Sequence, residues 1–236
     1  MNSDKLFKNK KIIALVPARS GSKGIKNKNI RKVNGKPLIK YTLDFINSLN
    51  FIDLKIVSSD GSKILKLAEK NNFISIKRSK LLSADKISDF SVIKSVIRNP
   101  EVAKSKYDYV IYLQPTSPIR RKKELIYALE KIIKEKFHSA WSVSKIDKKN
   151  HPLKILKIKN KCLSLYDLKG KQIIARQQLE DIYIRNGVFY IFSIKELMKK
   201  GSIYLNKTLP IKINHQIVNI DNLSDLRMAG KFLNKK

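Results

Sequence analysis

Apolar residues come in short blocks along this chain, separated by stretches in which apolar positions recur at helical spacing. Residues 11–18, KIIALVPA, form the first block, a run too short for a globular helix and without a polar alternation, which predicts a strand buried on both faces. Residues 37–49 then place Leu38, Tyr41, Phe45 and Leu49 near helical spacing and predict a helix. The alternation repeats. A strand over 54–58 closes at Ser59-Asp60-Gly61, a helix over 62–71 follows, and a short strand over 74–77 precedes a helix over 88–98 for which Ser88 or Asp89 offers the cap. Residues 109–113 read as the central strand, ended abruptly by Gln114-Pro115-Thr116-Ser117-Pro118; a strongly periodic helix over 122–136 and a strand over 139–143 come next. Repeated strand–helix units predict an α/β fold with a largely parallel, buried sheet and right-handed crossovers.

The rhythm breaks between residues 145 and 185. This polar stretch carries only short β-like pieces at 155–158 and 162–166 and no helix of convincing length, and it reads as an insertion extending from the sheet rather than a floppy loop. Regular structure resumes with a strand over 188–192, a helix over 194–200, a strand over 217–220 and a closing helix over 224–234. With 236 residues, 42% of them hydrophobic, the chain is read as a single domain, residues 1–236, with 145–185 inserted into it.

Charge alters this picture less than its size suggests. A net charge of +32 ordinarily points to nucleic acid. Here the cations are spread from Lys5 to Lys236 in ones and twos and are overwhelmingly lysine, a compositional bias rather than a shaped groove with stacking aromatics, so no nucleic-acid partner is expected. A single cysteine, Cys162, permits no internal disulfide, and His138, His151 and His215 lack zinc-ligand spacing. No apolar run approaches a membrane span and Met1-Asn2-Ser3-Asp4-Lys5 lacks a signal-peptide core, so a cytoplasmic protein without a membrane partner is expected.

The chemistry concentrates at strand ends. After the first strand comes Arg19-Ser20-Gly21-Ser22-Lys23-Gly24-Ile25-Lys26-Asn27-Lys28-Asn29, where two glycines, serines and several cations sit at the carboxyl end of a predicted strand. Ligands gather there in open α/β sheets, and such a loop can turn backbone N–H groups and Arg or Lys side chains onto a nucleoside triphosphate. The spacing is neither GxxxxGK[ST] nor GxGxxG, and a solvated basic turn is the other reading of the segment alone. Three more clusters lie at predicted strand ends: Leu113-Gln114-Pro115-Thr116-Ser117-Pro118-Ile119-Arg120, Arg185-Asn186-Gly187-Val188-Phe189-Tyr190, and Asn219-Ile220-Asp221.

Taken in this order, with His151-Pro152-Leu153-Lys154 and Arg176-Gln177-Gln178, these segments resemble the cytidylyltransferases that activate sialic acids and related nine-carbon sugar acids, and the resemblance spans nearly the whole chain. It implies a Rossmann-like nucleotidyltransferase fold with a small dimerisation arm, the polar insertion, reaching across a homodimer to the partner's active site. It further implies CTP and a nonulosonic acid as substrates, joined by attack of the sugar's anomeric hydroxyl on the α-phosphate with loss of pyrophosphate, and Mg2+ as cofactor. By the same resemblance Arg19, Ser22, Lys23 and Lys28 contact the triphosphate, Arg19 and Lys28 as the cations that meet transition-state charge, while Asn29, Arg78 and Ser88 lie near ribose and base with Asp85 supporting that loop. Gln114 and Arg176 are implied on the sugar side, and Asn186 and Tyr190 shape that pocket.

One departure stands out. The family's Asp-x-Asp metal pattern appears here as Asn219 and Asp221, which removes one full negative charge and predicts a weaker magnesium site in which the triphosphate supplies more of the ligation. Two alternatives remain: a cytidylyltransferase for another sugar acid such as 3-deoxy-manno-octulosonate, and a catalytically impaired sugar-nucleotide binding protein, for which Asn219 is the supporting feature.

Overall fold

A computed structural model describes residue 7, residues 9–22 and residues 24–234. Among these residues the main sheet is built from β1 (Ile12–Pro17), β4 (Leu54–Ser59), β5 (Ile74–Lys77), β6 (Tyr109–Tyr112), β7 (Ser139–Lys145), β10 (Tyr183–Ser193) and β11 (Thr208–Lys212). Two small ladders, β2 (Lys32–Val33) with β3 (Lys36–Pro37) and β8 (Leu156–Lys159) with β9 (Cys162–Leu165), stand apart from it. The strand order is β11-β7-β10-β6-β1-β4-β5, which puts β6 at the centre as its unbroken apolar sequence requires. Pairing is parallel except at β10, which runs antiparallel to both β6 and β7.

Burial on both faces explains the continuous apolar runs. Ile12, Ala14 and Val16 of β1 pack on one side with Ile39 and Leu43 of the helix Leu38–Asn47 and with Leu125 and Leu129 of the helix Lys122–Glu135. Ile13 and Leu15 point the other way, into a core with Ile93 and Val96 of the helix Asp89–Ile97. Successive strand side chains alternate between faces, so a strand covered by helices on both sides has no position left for a polar residue.

A third, smaller cluster of Ile25, Val33, Leu38, Ile119, Val218, Ile220 and Ala229 covers the carboxyl end of the sheet. It accounts for the one expected strand that does not form. Over 217–220 the alternation is that of a strand, with Val218 and Ile220 buried and Asn219 exposed. The segment packs on a loop instead of a sheet edge, tied by the Ile220 N–H to Thr116 O at 2.9 Å. The edge is taken by β11, whose Pro210 and flanking lysines hid it in the sequence; proline is tolerated there because an edge strand has an unpaired side.

Between β7 and β10 the chain leaves the sheet. The pieces expected at 155–158 and 162–166 pair as the hairpin β8–β9, turned by Asn160 and Lys161 with φ of 53° and 63°. Its register sets Leu156 opposite Leu165 and Ile158 opposite Leu163, so the four share one face, on which Ile158 is 77% and Leu163 69% exposed. β10 begins earlier than its apolar run suggests, at Tyr183, and a register shift between Arg185 and Tyr190 breaks its ladder with β7.

The loop after β6 is pinned by a buried guanidinium. Arg120 donates from Nε to Val188 O at 2.7 Å, from one terminal nitrogen to Thr42 Oγ1 at 2.9 Å and from the other to Gln114 O at 2.5 Å. Burial pushes its pKa down to about 9, which leaves it charged at neutral pH. Arg120→Met removes every donor of the guanidinium, leaving Val188 O and Thr42 Oγ1 without the bonds it gave them and Gln114 O with the Ser117 N–H, and is expected to cost about 2–4 kcal/mol in urea unfolding; unchanged stability would show that the loop holds without it.

Candidate active site

At the carboxyl ends of β1 and β6 lies a cleft of about 400 Å³. One end is polar and cationic, lined by Arg19, Ser22, Gly24, Lys28 and Asp221; the other is walled by Leu82, Ile87 and Val92 with Arg78, Asp89 and Tyr112, and Gln114, Pro115 and Thr116 close the side along β6. Of the expected residues, the fold therefore brings Arg19, Ser22, Lys28, Asn29, Arg78, Gln114 and Asp221 to one cavity. Lys23 lies outside the described residues.

Loop and last segment are held together by a cation and a close approach. Lys28 donates from Nζ to Ile220 O at 2.6 Å and lies 3.2 Å from Asp221 Oδ1. At Gly24 any Cβ would sit 2.2 Å from Asp221 O, so this position accepts only glycine without moving backbone. Arg19 forms an ion pair with Asp85 at 2.5 Å, joining the first loop to the loop beyond Arg78. Asn29 donates to Arg19 O at 2.9 Å, and its own Oδ1 is buried without a protein partner. Behind the loop, Asp60 accepts from Ser20 N–H and Oγ, both at 2.7 Å; burial works against its charge, but these bonds outweigh it and hold the carboxyl below its usual range.

Arg78 is a ready donor. The residue is 7% exposed, its Nε has no partner, and burial lowers its pKa, so the guanidinium is held partly desolvated at the cleft wall.

The remaining expected residues lie elsewhere. Ser88 serves the other role the sequence allowed, as the cap of Asp89–Ile97, its Oγ accepting from Ser91 N–H at 3.1 Å. Asn186 is buried in the irregular part of β10, accepting from Ser142 Oγ at 2.6 Å and donating to Ser144 Oγ at 3.1 Å. The Tyr190 hydroxyl accepts from Gly187 N–H at 3.0 Å. Neither side chain lines the cleft; together they fix the turn at Gly187, whose φ is +71° and where a Cβ would stand 2.7 Å from Gln114 Oε1. Their effect on the cleft runs through Gln114. Arg176 is exposed on the excursion between β7 and β10 and does not line its own chain's cleft. Asp89 and Tyr112 do line it and escape a reading of the sequence, Asp89 because a helix cap already explains it and Tyr112 because it sits in an apolar strand.

Asn219 has a local reason to be an amide. Ser117 Oγ lies 2.9 Å from Asn219 Oδ1 and 3.0 Å from Asn186 O, and a hydroxyl has one proton for two acceptors. An amide satisfies the set by turning its NH2 to Ser117, whereas a carboxylate offers acceptors alone. Among the described residues no three of His, Cys, Asp and Glu cluster as a metal cage. The last segment offers one carboxylate, Asp221, 78% exposed, and one neutral amide oxygen. That donor set fits a hard divalent cation that arrives with phosphate oxygens and water as most of its ligands.

Comparison with known proteins agrees with this geometry. A family profile described as cytidylyltransferase matches residues 13–221. The chain is 29% identical over 228 residues to the N-acylneuraminate cytidylyltransferase of Escherichia coli, covering 96% of this chain and 53% of that protein, so it spans about half of that relative's length. It is 28% identical over 225 residues to the pseudaminic acid cytidylyltransferase of Campylobacter jejuni, covering 93% and 94%. Among solved structures, a CMP:2-keto-3-deoxy-manno-octonic acid synthetase complexed with CTP superposes with a TM-score of 0.70 at 14% identity, over 95% of this chain and 99% of that one, which establishes the shared fold.

Gly24→Ala tests the close approach. The added methyl must displace either the loop or Asp221, so nucleoside triphosphate binding by calorimetry is expected to weaken about 10-fold or more, since a loop shift of this size misplaces the phosphate contacts. Wild-type affinity would show that the loop closes in another way.

Proposed function

The chain belongs to the cytidylyltransferase family that includes the nonulosonic acid enzymes, and on that premise we propose that it transfers CMP from CTP to the anomeric hydroxyl of a sialic acid or related nine-carbon sugar acid, releasing pyrophosphate. The observation that carries this reading is the convergence of Arg19, Ser22 and Lys28 from the first loop with Gln114 and Asp221 on one cleft. The sugar hydroxyl loses its proton to solvent as its oxygen attacks the α-phosphorus and the bond from that phosphorus to the bridging β-phosphate oxygen breaks, releasing pyrophosphate. Charge grows on the leaving pyrophosphate, and cations already fixed in place stabilise it without reorganising.

In this reading Lys28, held by Ile220 O, keeps its ammonium aimed at the phosphates, and Arg19 exchanges Asp85 for a phosphate oxygen when the nucleotide enters. Asp221 and Asn219 would hold Mg2+, which when bound adds charge neutralisation on the phosphate oxygens. Gln114, whose amide stands close over Gly187, is the amide on the sugar side. Related proteins named for sialic and pseudaminic acids are similar to this chain at 29% and 28% identity, so the sugar class is proposed and its individual member left open.

Lys28→Ala is expected to keep the sheet and its two cores, since among the described residues the side chain bonds only Ile220 O and Asp221 at the cleft, while lowering turnover in a pyrophosphate-release assay by about 100-fold or more. Near-normal turnover would remove Lys28 from the chemistry.

We further propose a two-fold homodimer in which the apolar face of the hairpin, Leu156, Ile158, Leu163 and Leu165, meets a second copy. Arg176, absent from its own chain's cleft, would then serve the partner's. Mixing inactive Lys28→Ala with inactive Arg176→Ala protein under subunit exchange should restore roughly a quarter of wild-type activity, because about half the dimers are mixed and each has one intact site. No recovery despite demonstrated exchange would place Arg176 in its own subunit's site.

A further inference from the structure

The polar groups at the apolar end of the cleft make a pattern that goes beyond binding a nucleotide. Leu82, Ile87 and Val92 provide apolar walls there, and the charged side chains among them are Arg78, Asp85 and Asp89, of which Asp85 is already ion-paired with Arg19. Arg78 brings buried N–H donors, one of them without any partner. Asp89 brings acceptors: Tyr112 donates its hydroxyl to Oδ1 at 2.8 Å, while the other carboxylate oxygen takes no hydrogen bond from the described residues. Tyr112 is fully buried and burial raises its pKa well above that of a free phenol, so it stays a donor at any working pH and holds the carboxylate fixed.

A donor and an acceptor between apolar walls select among heterocycles by their edges. Cytosine presents an amine donor at N4 beside acceptors at N3 and O2; uracil presents an acceptor at O4 and a donor at N3. A carboxylate accepts from the N4 amine and repels O4, and a guanidinium donates to N3 or O2 and meets no acceptor at a protonated N3. We propose that Asp89, held by Tyr112, is the residue that reads the exocyclic amine of the base, and so makes this cleft prefer a cytidine over a uridine nucleotide. The inference rests on the nucleotide reading of the cleft given above.

Asp89 also borders a neighbouring cleft of about 350 Å³ with Arg185 and Tyr204, which supplies the competing assignment, that its carboxylate serves the second substrate. Calorimetric titration of the full-length protein with CTP and with UTP, each with magnesium, separates these cases without requiring turnover. Wild type should bind CTP more tightly, and Asp89→Asn, which keeps volume but offers either a donor or an acceptor, should lower the CTP-to-UTP affinity ratio about 10-fold or more, with UTP binding gained as CTP binding is lost. Tyr112→Phe, which leaves the carboxylate present but unheld, should shift the ratio in the same direction by less; if Asp89→Asn fails to fold, this variant decides the matter. A ratio unchanged within 2-fold, or equal losses for both nucleotides, overturns the assignment. Failure of the wild type to bind either nucleotide would instead overturn the nucleotide reading itself.

Discussion

The site depends on one buried cation that does not line the cleft. Arg120 binds the carbonyls of Gln114 and Val188 and the hydroxyl of Thr42, so it fastens the loop after the central strand to β10 and to the helix Leu38–Asn47 at once. Both of the other ligand-facing segments hang from that loop. Thr116 O receives the Ile220 N–H, which places the last segment; Ile220 O then receives Lys28 Nζ, which places the first loop. A charge carried into a dry interior is costly, and it persists because its planar fork meets carbonyls and a hydroxyl that have few other partners. The two segments share an anchor, so a shift at Arg120 is felt at both.

Sequence periodicity revealed the sheet because burial on both faces leaves no ambiguity about what a run such as Ile12-Ile13-Ala14-Leu15-Val16 can be. It failed where one physical signal served two purposes. The alternation of Val218, Asn219 and Ile220 is real, yet it records packing on a loop, because alternation reports which side is buried and not what lies alongside. β11 was hidden by Pro210 and the lysines around it, features an edge strand tolerates and a central strand does not. That the cationic first loop, Gln114 and Asp221 would line one cleft was legible because clefts in such sheets open at the carboxyl ends of strands. Ser88, Asn186 and Tyr190 are polar residues under constraint, as their settings in the sequence suggest, but the structure gives Ser88 to a helix cap and the other two to the turn beneath Gln114. Asp89 was invisible as a cleft residue because an acidic residue at the start of a helix already has a sufficient reason to be there.

Electrostatics divides the work within the cleft. The excess of 51 Lys and Arg over 19 Asp and Glu describes the chain's whole surface and not its chemistry. What matters locally is which cations are held, and how. Lys28 is fixed on a carbonyl and a carboxylate, Arg19 is paired to an exposed aspartate that a phosphate can displace, and Arg78 is buried with an unused donor. Each is poised differently toward an anionic or polar ligand: the first fixed in advance, the second exchangeable, the third partly desolvated. An amide at Asn219 fits this division, since it closes the Ser117 and Asn186 hydrogen bonds and leaves Asp221 as the full negative charge of the segment 219–221.

The most direct test of this account is pyrophosphate release by the wild-type protein with CTP and magnesium, run with and without each of several nine-carbon sugar acids. The account predicts release that requires both the nucleotide and a nonulosonic acid and yields the CMP-sugar mole for mole, with little release when the acid is omitted. Folded protein that releases no pyrophosphate with any of these acids, or releases it equally well without one, would contradict it.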